Sequence, residues 1–226
     1  MQVVNLTPTA VLLLTAFVGR CQAQQSGNTS SPWFCHDLDC PSYITLDKGA
    51  DYEKRQYPSA NWVSVNVENY TYSAAVSKGF APLFDYISGA NKEGVKINMT
   101  APVLVKVLPG DGPFCQNNFT VSFYVPTKQG ETPVPMQQSL YLNSLPPATY
   151  YVSSFDGFAD DTSVPAQAAA LTAKLTANGE AFDSSAFWTA GYDAPYKLTG
   201  RHNEIWIRKA DAAGGSGSTP AKSVAG

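Results

Sequence analysis

The sequence predicts an α+β domain in which the order β-α-β-β occurs twice, at about residues 50–126 and 148–209. Apolar and polar residues alternate in several short segments, which is typical of half-buried strands. Two other segments carry apolar residues at the spacing of a helix with one buried face. The 12 Tyr, 11 Phe, 17 Gly and 16 Pro also favour strands and turns over a helical bundle. Two such halves can pack sheet against sheet with the helices outside, as a barrel or a sandwich.

The first half begins with two strands, predicted over Tyr52–Tyr57 and Trp62–Val67 from their alternating patterns. A helix is then predicted over Ser73–Ser88, with a kink at Pro82, which lacks a backbone N–H group, and an end at Gly89. The apolar stripe that predicts this helix consists of Val76, Phe80, Leu83, Phe84 and Ile87.

Five further strands are predicted. Lys96–Leu108 and Phe119–Val125 complete the first half, Thr149–Phe155 opens the second half, and Phe187–Ala190 and Glu204–Arg208 close it. The helix of the second half is predicted because its apolar residues follow helical spacing and end at an Asn-Gly pair. These residues are Val164, Ala168, Leu171 and Leu175.

The first 23 residues are predicted to be a secretory signal peptide that is removed after Ala23. The apolar run Ala10–Val18 is too short to span a bilayer, and small residues follow it at the positions that signal peptidase recognises. No Lys or Arg precedes the run, so an uncleaved anchor and a transit peptide remain alternatives. We expect the protein to be secreted.

The mature chain is predicted to contain a polar leader at 24–32, one folded domain at 33–210 and a flexible Gly/Ser-rich tail at 211–226. The net charge of −3 becomes −4 when Arg20 leaves with the signal peptide. A nucleic-acid partner is not expected, because it would require a basic surface. No span of a membrane is expected either, and the sequence leaves the oligomeric state open.

Four Asn-X-Ser/Thr sequons agree with secretion, because such sites are glycosylated in the secretory pathway. At most two are expected to carry a glycan, since two of the four lie in predicted strands. The candidate asparagines are Asn28, Asn69, Asn98 and Asn118.

The mature chain keeps three cysteines after Cys21 is removed, and two of them are expected to pair in an oxidising compartment. A Cys35–Cys40 bond would close a short local loop. A bond from either of these residues to Cys115 would instead tie the N-terminal segment to the domain. A zinc site is a further alternative, although its spacing is poor: its four ligands would be Cys35, His36 and Cys40 with Asp37 or Asp39.

Several strings of residues resemble motifs of the SOUL haem-binding protein family, in family order over about residues 35–209. They are Gly79-Phe80-x-x-Leu83-Phe84-x-Tyr86-Ile87, Lys96-Ile97-x-Met99-Thr100-Ala101-Pro102-Val103, Phe119-x-Val121-Ser122-Phe123-Tyr124-x-Pro126 and Ala190-Gly191-Tyr192-Asp193-x-Pro195-x-Lys197-Leu198-x-x-Arg201-x-Asn203-Glu204-x-Trp206. The cysteines of the leader and Cys115 look like those of the secreted, haem-binding-protein-2-like branch.

The resemblance implies a distorted antiparallel β-barrel with two helices, built from pseudo-twofold β-α-β-β halves. It also implies that haem or another porphyrin binds as a reversible ligand in a shallow hydrophobic site beside the first helix, and that the protein is not an enzyme. Phe80, Leu83 and Phe84 would then supply the apolar surface, and Lys78 and Lys197 would face the propionates. The alternatives are that the stripe is simply core and that the two lysines are solvated.

The axial ligand to the iron is the open part of this assignment. Some family members carry His where this chain has Gln56, and an amide is a poor iron ligand beside imidazole. His202, Met99 and Tyr192 are other candidates. We therefore predict weak or absent axial ligation, so that metal-free porphyrin binds nearly as well as haem.

Two other functions remain open. The first is a small-molecule hydrolase of related architecture, in which Glu204 acts as a base with Tyr192 as its partner. The second is an extracellular interaction module that does not bind haem. The sequence contains no Gly-x-Ser-x-Gly elbow, no His-Glu-x-x-His helix and no phosphate-binding loop.

Overall fold

The computed structural model describes residues 31–110, 115–126 and 132–211. The predicted signal peptide, almost all of the polar leader with Asn28, and the tail beyond residue 211 lie outside the described residues. The described elements follow one another in a fixed order along the chain. They are a 3₁₀ turn (Trp33–Cys35), β1 (Ile44–Lys48), β2 (Glu53–Tyr57), β3 (Ala60–Asn69), α1 (Tyr72–Ile87), β4 (Val103–Leu108), β5 (Asn117–Val125), β6 (Leu140–Leu145), β7 (Ala148–Phe155), α2 (Ser163–Ala177), β8 (Phe187–Gly191) and β9 (Asn203–Arg208).

The nine strands form one sheet in the order β1-β2-β7-β9-β8-β4-β5-β3-β6, in which every pairing is antiparallel. β4 and β8 pair at the centre, with β5 and β3 on one side and β9 and β7 on the other. α1 connects β3 to β4, and α2 connects β7 to β8 in the same way. The prediction of an α+β fold with two β-α-β-β halves is therefore confirmed.

The closed barrel implied by the family resemblance is not confirmed, because the hydrogen-bonded order has two ends, β1 and β6. The sheet still curls: only residues 58–59 connect β2 to β3, which hold the second and eighth places in the order. The ends of these strands are thus within roughly 11 Å of each other. Closure fails because β2 already pairs on both sides, with β1 and β7.

The structure corrects two details of the predicted strands. β4 begins at Val103 and not at Lys96, so Asn98 does not lie in a strand. The preceding residues form irregular structure, in which the Ile97 N–H donates to the Ile87 carbonyl. The edge strands β1 and β6 are not among the predicted strands; β1 is exposed along its whole length, and β6 buries only Leu140 fully.

Both predicted helices are confirmed, and each covers one half of the sheet. α1 continues through Pro82 and packs on β3 and β5, with Leu83 and Ile87 buried. Gly79 allows a close approach there, because an added Cβ would lie 2.5 Å from the Val121 Cγ2 atom. α2 packs with its predicted apolar stripe on β7 and β9. Among the described residues, neither helix has the length and apolar composition needed to cross a membrane.

Candidate functional site

The predicted apolar stripe of α1 divides into core and surface. Leu83 is fully buried, Phe80 is half-buried, and Phe84 is 49% exposed. The rings of Phe80 and Phe84 stack with their centroids 5.8 Å apart, and Phe80 meets Phe123 of β5 edge to face at 5.2 Å. Phe84 therefore presents one face of an aromatic pair to the outside, anchored by Phe80 on the core.

Three half-buried side chains, Ile97, Met99 and Val103, pack against the same core cluster as Phe80. Together with Phe80 and Phe84 they are called here the α1 apolar surface. Val103 is paired with Phe123 on one side and with Gly191 on the other, so these three positions share one face of the sheet. A Cβ added to Gly191 would meet only the Asn203 Oδ1 atom, at 3.9 Å. There is thus room for a small group above Gly191, next to Val103, on the face that carries α1.

The two predicted lysines lie in different places. Lys78 precedes Phe80 by two residues, so it points about 200° away from Phe80 around the helix. It lines a polar groove of about 850 Å³ with Asn66, Asn118 and Tyr141. The structure does not bring Lys78 together with the α1 apolar surface.

Lys197 lies in the loop between β8 and β9, which leaves β8 directly after Gly191. Gly191 is two strand spacings, roughly 10 Å, from Phe123, the residue that Phe80 contacts. The Lys197 Nζ atom donates to the Asp193 Oδ1 atom at 2.6 Å. This lysine therefore belongs to a loop that starts at the same end of the sheet as the α1 apolar surface.

Gln56 lies on the opposite half of the sheet from the α1 apolar surface. It is exposed between buried Arg55 and Tyr57, so it points to the other face of β2. Lys54 shares that face and donates to Glu180, the residue that follows α2 by three positions. Gln56 therefore lies in the half of the sheet that α2 covers.

Sequence reasoning did not find the buried charge network around Glu204, called here the Glu204 network. The carboxylate is fully buried and accepts four hydrogen bonds, each at 2.8–3.0 Å. The predicted pairing of Tyr192 with Glu204 is present, but nothing in the sequence indicates the contact with Arg55. The four donors are Arg55 Nη1, Tyr192 OH, His202 Nε2 and Trp206 Nε1.

The pKa values of this network favour a fixed ion pair. Burial alone would raise the pKa of Glu204, but the hydrogen bond from His202 and the charge of Arg55 outweigh it and lower that pKa. Burial and the charge of Glu204 raise the pKa of Tyr192 well above its usual value. A general base needs a pKa near the working pH. Glu204 with its four donors is therefore suited to hold the fold together and not to accept a proton from a substrate.

The N-terminal segment is held by a Cys35–Cys40 disulfide, which is the local one of the three predicted pairings, and Cys115 is exposed and free. Phe34 stacks face to face on His202, with centroids 4.1 Å apart. The disulfide removes the two thiolates that the zinc alternative required. Over residues 31–110, 115–126 and 132–211, no group of three or more metal-ligating side chains is present.

Comparison with known proteins identifies the family. The sequence profile described as SOUL heme-binding protein matches residues 38–208. The chain belongs to this family. Human heme-binding protein 2 is 40% identical over 157 residues, which cover 69% of this chain and 77% of that protein. Heme-binding protein 1 of Bos taurus is 30% identical over 169 residues, which cover 73% and 88%.

These similarities confirm the predicted resemblance and its haem-binding-protein-2-like branch. The relatives are named as binding proteins and not as enzymes, which agrees with the prediction that this SOUL-family chain is not an enzyme. The crystal structure of the EcmrR C-terminal domain has a TM-score of 0.53 at 12% identity, covering 71% of this chain and 99% of that one. That likeness shows a shared fold alone.

Proposed function

We propose that this protein binds haem or a related tetrapyrrole as a reversible ligand on the α1 apolar surface. The observation that carries the proposal is the exposed ring of Phe84, stacked on Phe80, in a chain whose relatives are named heme-binding proteins. A tetrapyrrole is a flat, mostly apolar disc with two carboxylates at one edge. Such a ligand needs a broad apolar surface with a cation near one side.

Lys197 suits the cation better than Lys78, because its loop starts at the end of the sheet where Phe80 packs. Its ammonium group is already paired with Asp193 and is about one-third exposed. A propionate would share or replace that partner. Lys78 points away from the aromatic pair and is more simply explained as part of the polar groove.

Axial ligation is proposed to be weak or absent. Both histidines of the chain, His36 and His202, are bonded to buried carboxylates. Gln56 lies on the α2 side of the sheet, and Tyr192 is buried in the Glu204 network. Met99, which packs against the same core cluster as Phe80, is the remaining candidate ligand.

The expected affinity is modest. Burial of on the order of 400 Å² of porphyrin contributes roughly 10 kcal/mol at ~25 cal/mol/Å². Association opposes this with about 4–15 kcal/mol. Without a strong iron bond, binding is therefore micromolar at best, which suits a carrier or scavenger better than a protein with a permanent prosthetic group.

An absorption titration of the purified mature protein with haem and with metal-free protoporphyrin tests this function. We expect a shifted Soret band for both, with micromolar dissociation constants that agree within about threefold, because the contact is apolar and does not involve the iron. A strong preference for haem would show an iron bond that the structure does not explain. No shift with either ligand would instead leave an extracellular interaction module as the function of the exposed aromatic surface.

The protein is further proposed to act outside the cell, as a glycosylated protein. The signal-like N-terminus and the Cys35–Cys40 disulfide support export, because such bonds persist in oxidising compartments. Asn98 and Asn118 are exposed, whereas Asn69 is half-buried and its Oδ1 atom accepts two backbone hydrogen bonds at the start of α1.

Expression in a secretory cell line tests this part of the proposal. The protein should appear in the medium and lose mass on treatment with peptide N-glycosidase. This loss of mass should be smaller in the variants N98Q and N118Q. The same treatment of N69Q should still produce the full loss of mass. Retention of unglycosylated protein inside the cells would contradict export.

A further inference from the structure

Four large apolar side chains are exposed together at the end of the molecule that carries the β8–β9 loop. Two contacts place them around that loop: the Trp33 ring lies 5.4 Å from the ring of His202, and the Arg201 guanidinium lies 4.6 Å from the ring of Phe158. This set is called here the aromatic tip. Its members and their exposed fractions are Trp33 (71%), Phe158 (46%), Tyr196 (85%) and Leu198 (73%).

The loop that carries Tyr196 and Leu198 is held by internal polar contacts. Arg201 is buried, and its Nη1 atom donates to the carbonyls of Ala194 and Lys197 at 2.8 and 2.7 Å. Its Nη2 atom donates to the Asp193 carbonyl at 3.2 Å. The Asp193 carboxylate in turn accepts from Lys197 Nζ. Three backbone carbonyls and the Asp193 carboxylate are thus satisfied within the protein, whereas the buried Nε atom of Arg201 has no hydrogen-bond partner.

This arrangement reduces the main obstacle to moving a loop out of water. Unsatisfied backbone groups and unpaired charges are expensive in an apolar medium. Trp and Tyr combine an apolar ring with a polar atom, which suits the boundary between lipid headgroups and acyl chains. Leu and Phe add apolar area at the same place. The net charge of −3 gives no overall attraction to anionic lipids.

We propose that the aromatic tip inserts into the interface of a lipid bilayer with neutral headgroups, without crossing it. The lipid contact goes beyond tetrapyrrole binding and does not depend on it. Membrane contact would bring the protein to the bilayer, in which an apolar tetrapyrrole dissolves. The two sites use different apolar side chains, because Phe84 is not part of the tip, although Lys197, the proposed partner of the propionates, lies between Tyr196 and Leu198.

Intrinsic tryptophan fluorescence can detect this contact. Trp62, Trp188 and Trp206 are buried, so Trp33 is the one exposed tryptophan of the four in the chain. The secreted protein, free of porphyrin, is mixed with phosphatidylcholine vesicles. We expect it to sediment with the vesicles and its tryptophan emission to move to shorter wavelength.

A matched pair of double variants locates the contact. Y196S/L198S removes two apolar side chains of the tip and should weaken partition into the vesicles by about tenfold or more. I44S/L46S removes two exposed apolar side chains from the edge strand β1 and should leave partition unchanged. Both changes fall on exposed positions, so the fold should survive, and circular dichroism checks that it does.

Three results would overturn the proposal. They are the absence of any emission shift or sedimentation, an equal loss in both double variants, and binding that appears only with phosphatidylserine. A concentration-dependent dimer that Y196S/L198S abolishes would show that the tip joins two copies of the chain instead. Because no porphyrin is present, failure of tetrapyrrole binding would leave these results unchanged.

Discussion

Replacement of Glu204 by Gln is expected to lower the free energy of unfolding by about 3 kcal/mol, because it removes the fully buried carboxylate that pairs with Arg55 and leaves only the less buried Glu53 as its charge partner. Arg55 is buried beside this carboxylate, with its Nη1 atom 2.9 Å from Oε1. All four groups that contact Glu204 are donors, and an amide NH₂ group cannot accept from any of them. Chemical denaturation of wild type and E204Q measures the difference.

Two further variants separate the charge effect from ordinary loss of a hydrogen bond. E180Q removes a more exposed carboxylate that pairs with Lys54 and should change stability by less than about 1 kcal/mol. The double variant R55M/E204Q removes both buried charges and keeps an acceptor oxygen for the other donors, so it should be less destabilised than E204Q. If E204Q unfolded at the same denaturant concentration as E180Q, the Glu204 network would not stabilise the fold.

The pH dependence of stability should differ between wild type and E204Q on the acid side. The pKa of Glu204 is lower in the folded protein than in the unfolded chain, where a Glu carboxyl titrates near about 4.3. The unfolded state therefore binds more protons, and the contribution of this group is present above the unfolded pKa and is lost as the pH falls through the lower folded pKa. Wild type should therefore have a higher free energy of unfolding than E204Q at pH 7, and this difference should disappear in strong acid.

The Glu204 network also shows where sequence reasoning stops. Alternation predicts β2 and β9 and places Arg55 on the same face as Tyr57, and Glu204 on the same face as Trp206. It does not predict that these two faces meet, because the residues are 149 positions apart. β2 and β9 are not neighbours in the sheet either, since β7 lies between them. The curl of the sheet brings the side chains together.

The helices were predictable because a buried face repeats every 3.6 residues, and Leu83 and Ile87 occupy it. The same period assigns Phe80 and Phe84 to the stripe without deciding which ring stays exposed. Which ring is exposed depends on where the sheet lies under the helix. Phe123 contacts Phe80, and Val121 lies against Gly79. The open edge of the sheet is not predictable from alternation either, since β1 is exposed along its whole length and the pattern of apolar residues does not distinguish an edge strand from an inner one.

The substitution F84D is expected to reduce porphyrin affinity by at least about tenfold, with the fold intact. Removal of the ring takes away an apolar contact worth about 1.5–3 kcal/mol when fully buried, and each 1.4 kcal/mol is a factor of about ten. The new carboxylate must also be desolvated next to the ligand. Phe84 is 49% exposed, so its replacement should not disturb the packing of Leu83 and Ile87 in the core. Porphyrin titration of the folded variant measures the loss.

The matched control is F158D, which changes the same residue type at nearly the same exposure, 46% against 49%. Phe158 belongs to the aromatic tip and contacts Arg201, which holds the loop of Lys197. F158D should therefore reduce porphyrin affinity much less than F84D does and should weaken binding to phosphatidylcholine vesicles. F84D should reduce porphyrin affinity and leave binding to the vesicles unchanged. This pair tests whether pigment and lipid use separate surfaces, as the positions of the two rings indicate.

The choice of Phe84 over Phe80 follows from what each ring contacts. Phe80 packs on Phe123 as well as on Phe84, so F80D would weaken the core and the binding surface together. A loss of affinity in F80D alone could therefore reflect partial unfolding. Unchanged porphyrin affinity in folded F84D would move the ligand away from α1. In that case the exposed aromatic pair would favour a protein partner, and the family's ligand would have to bind elsewhere on the sheet.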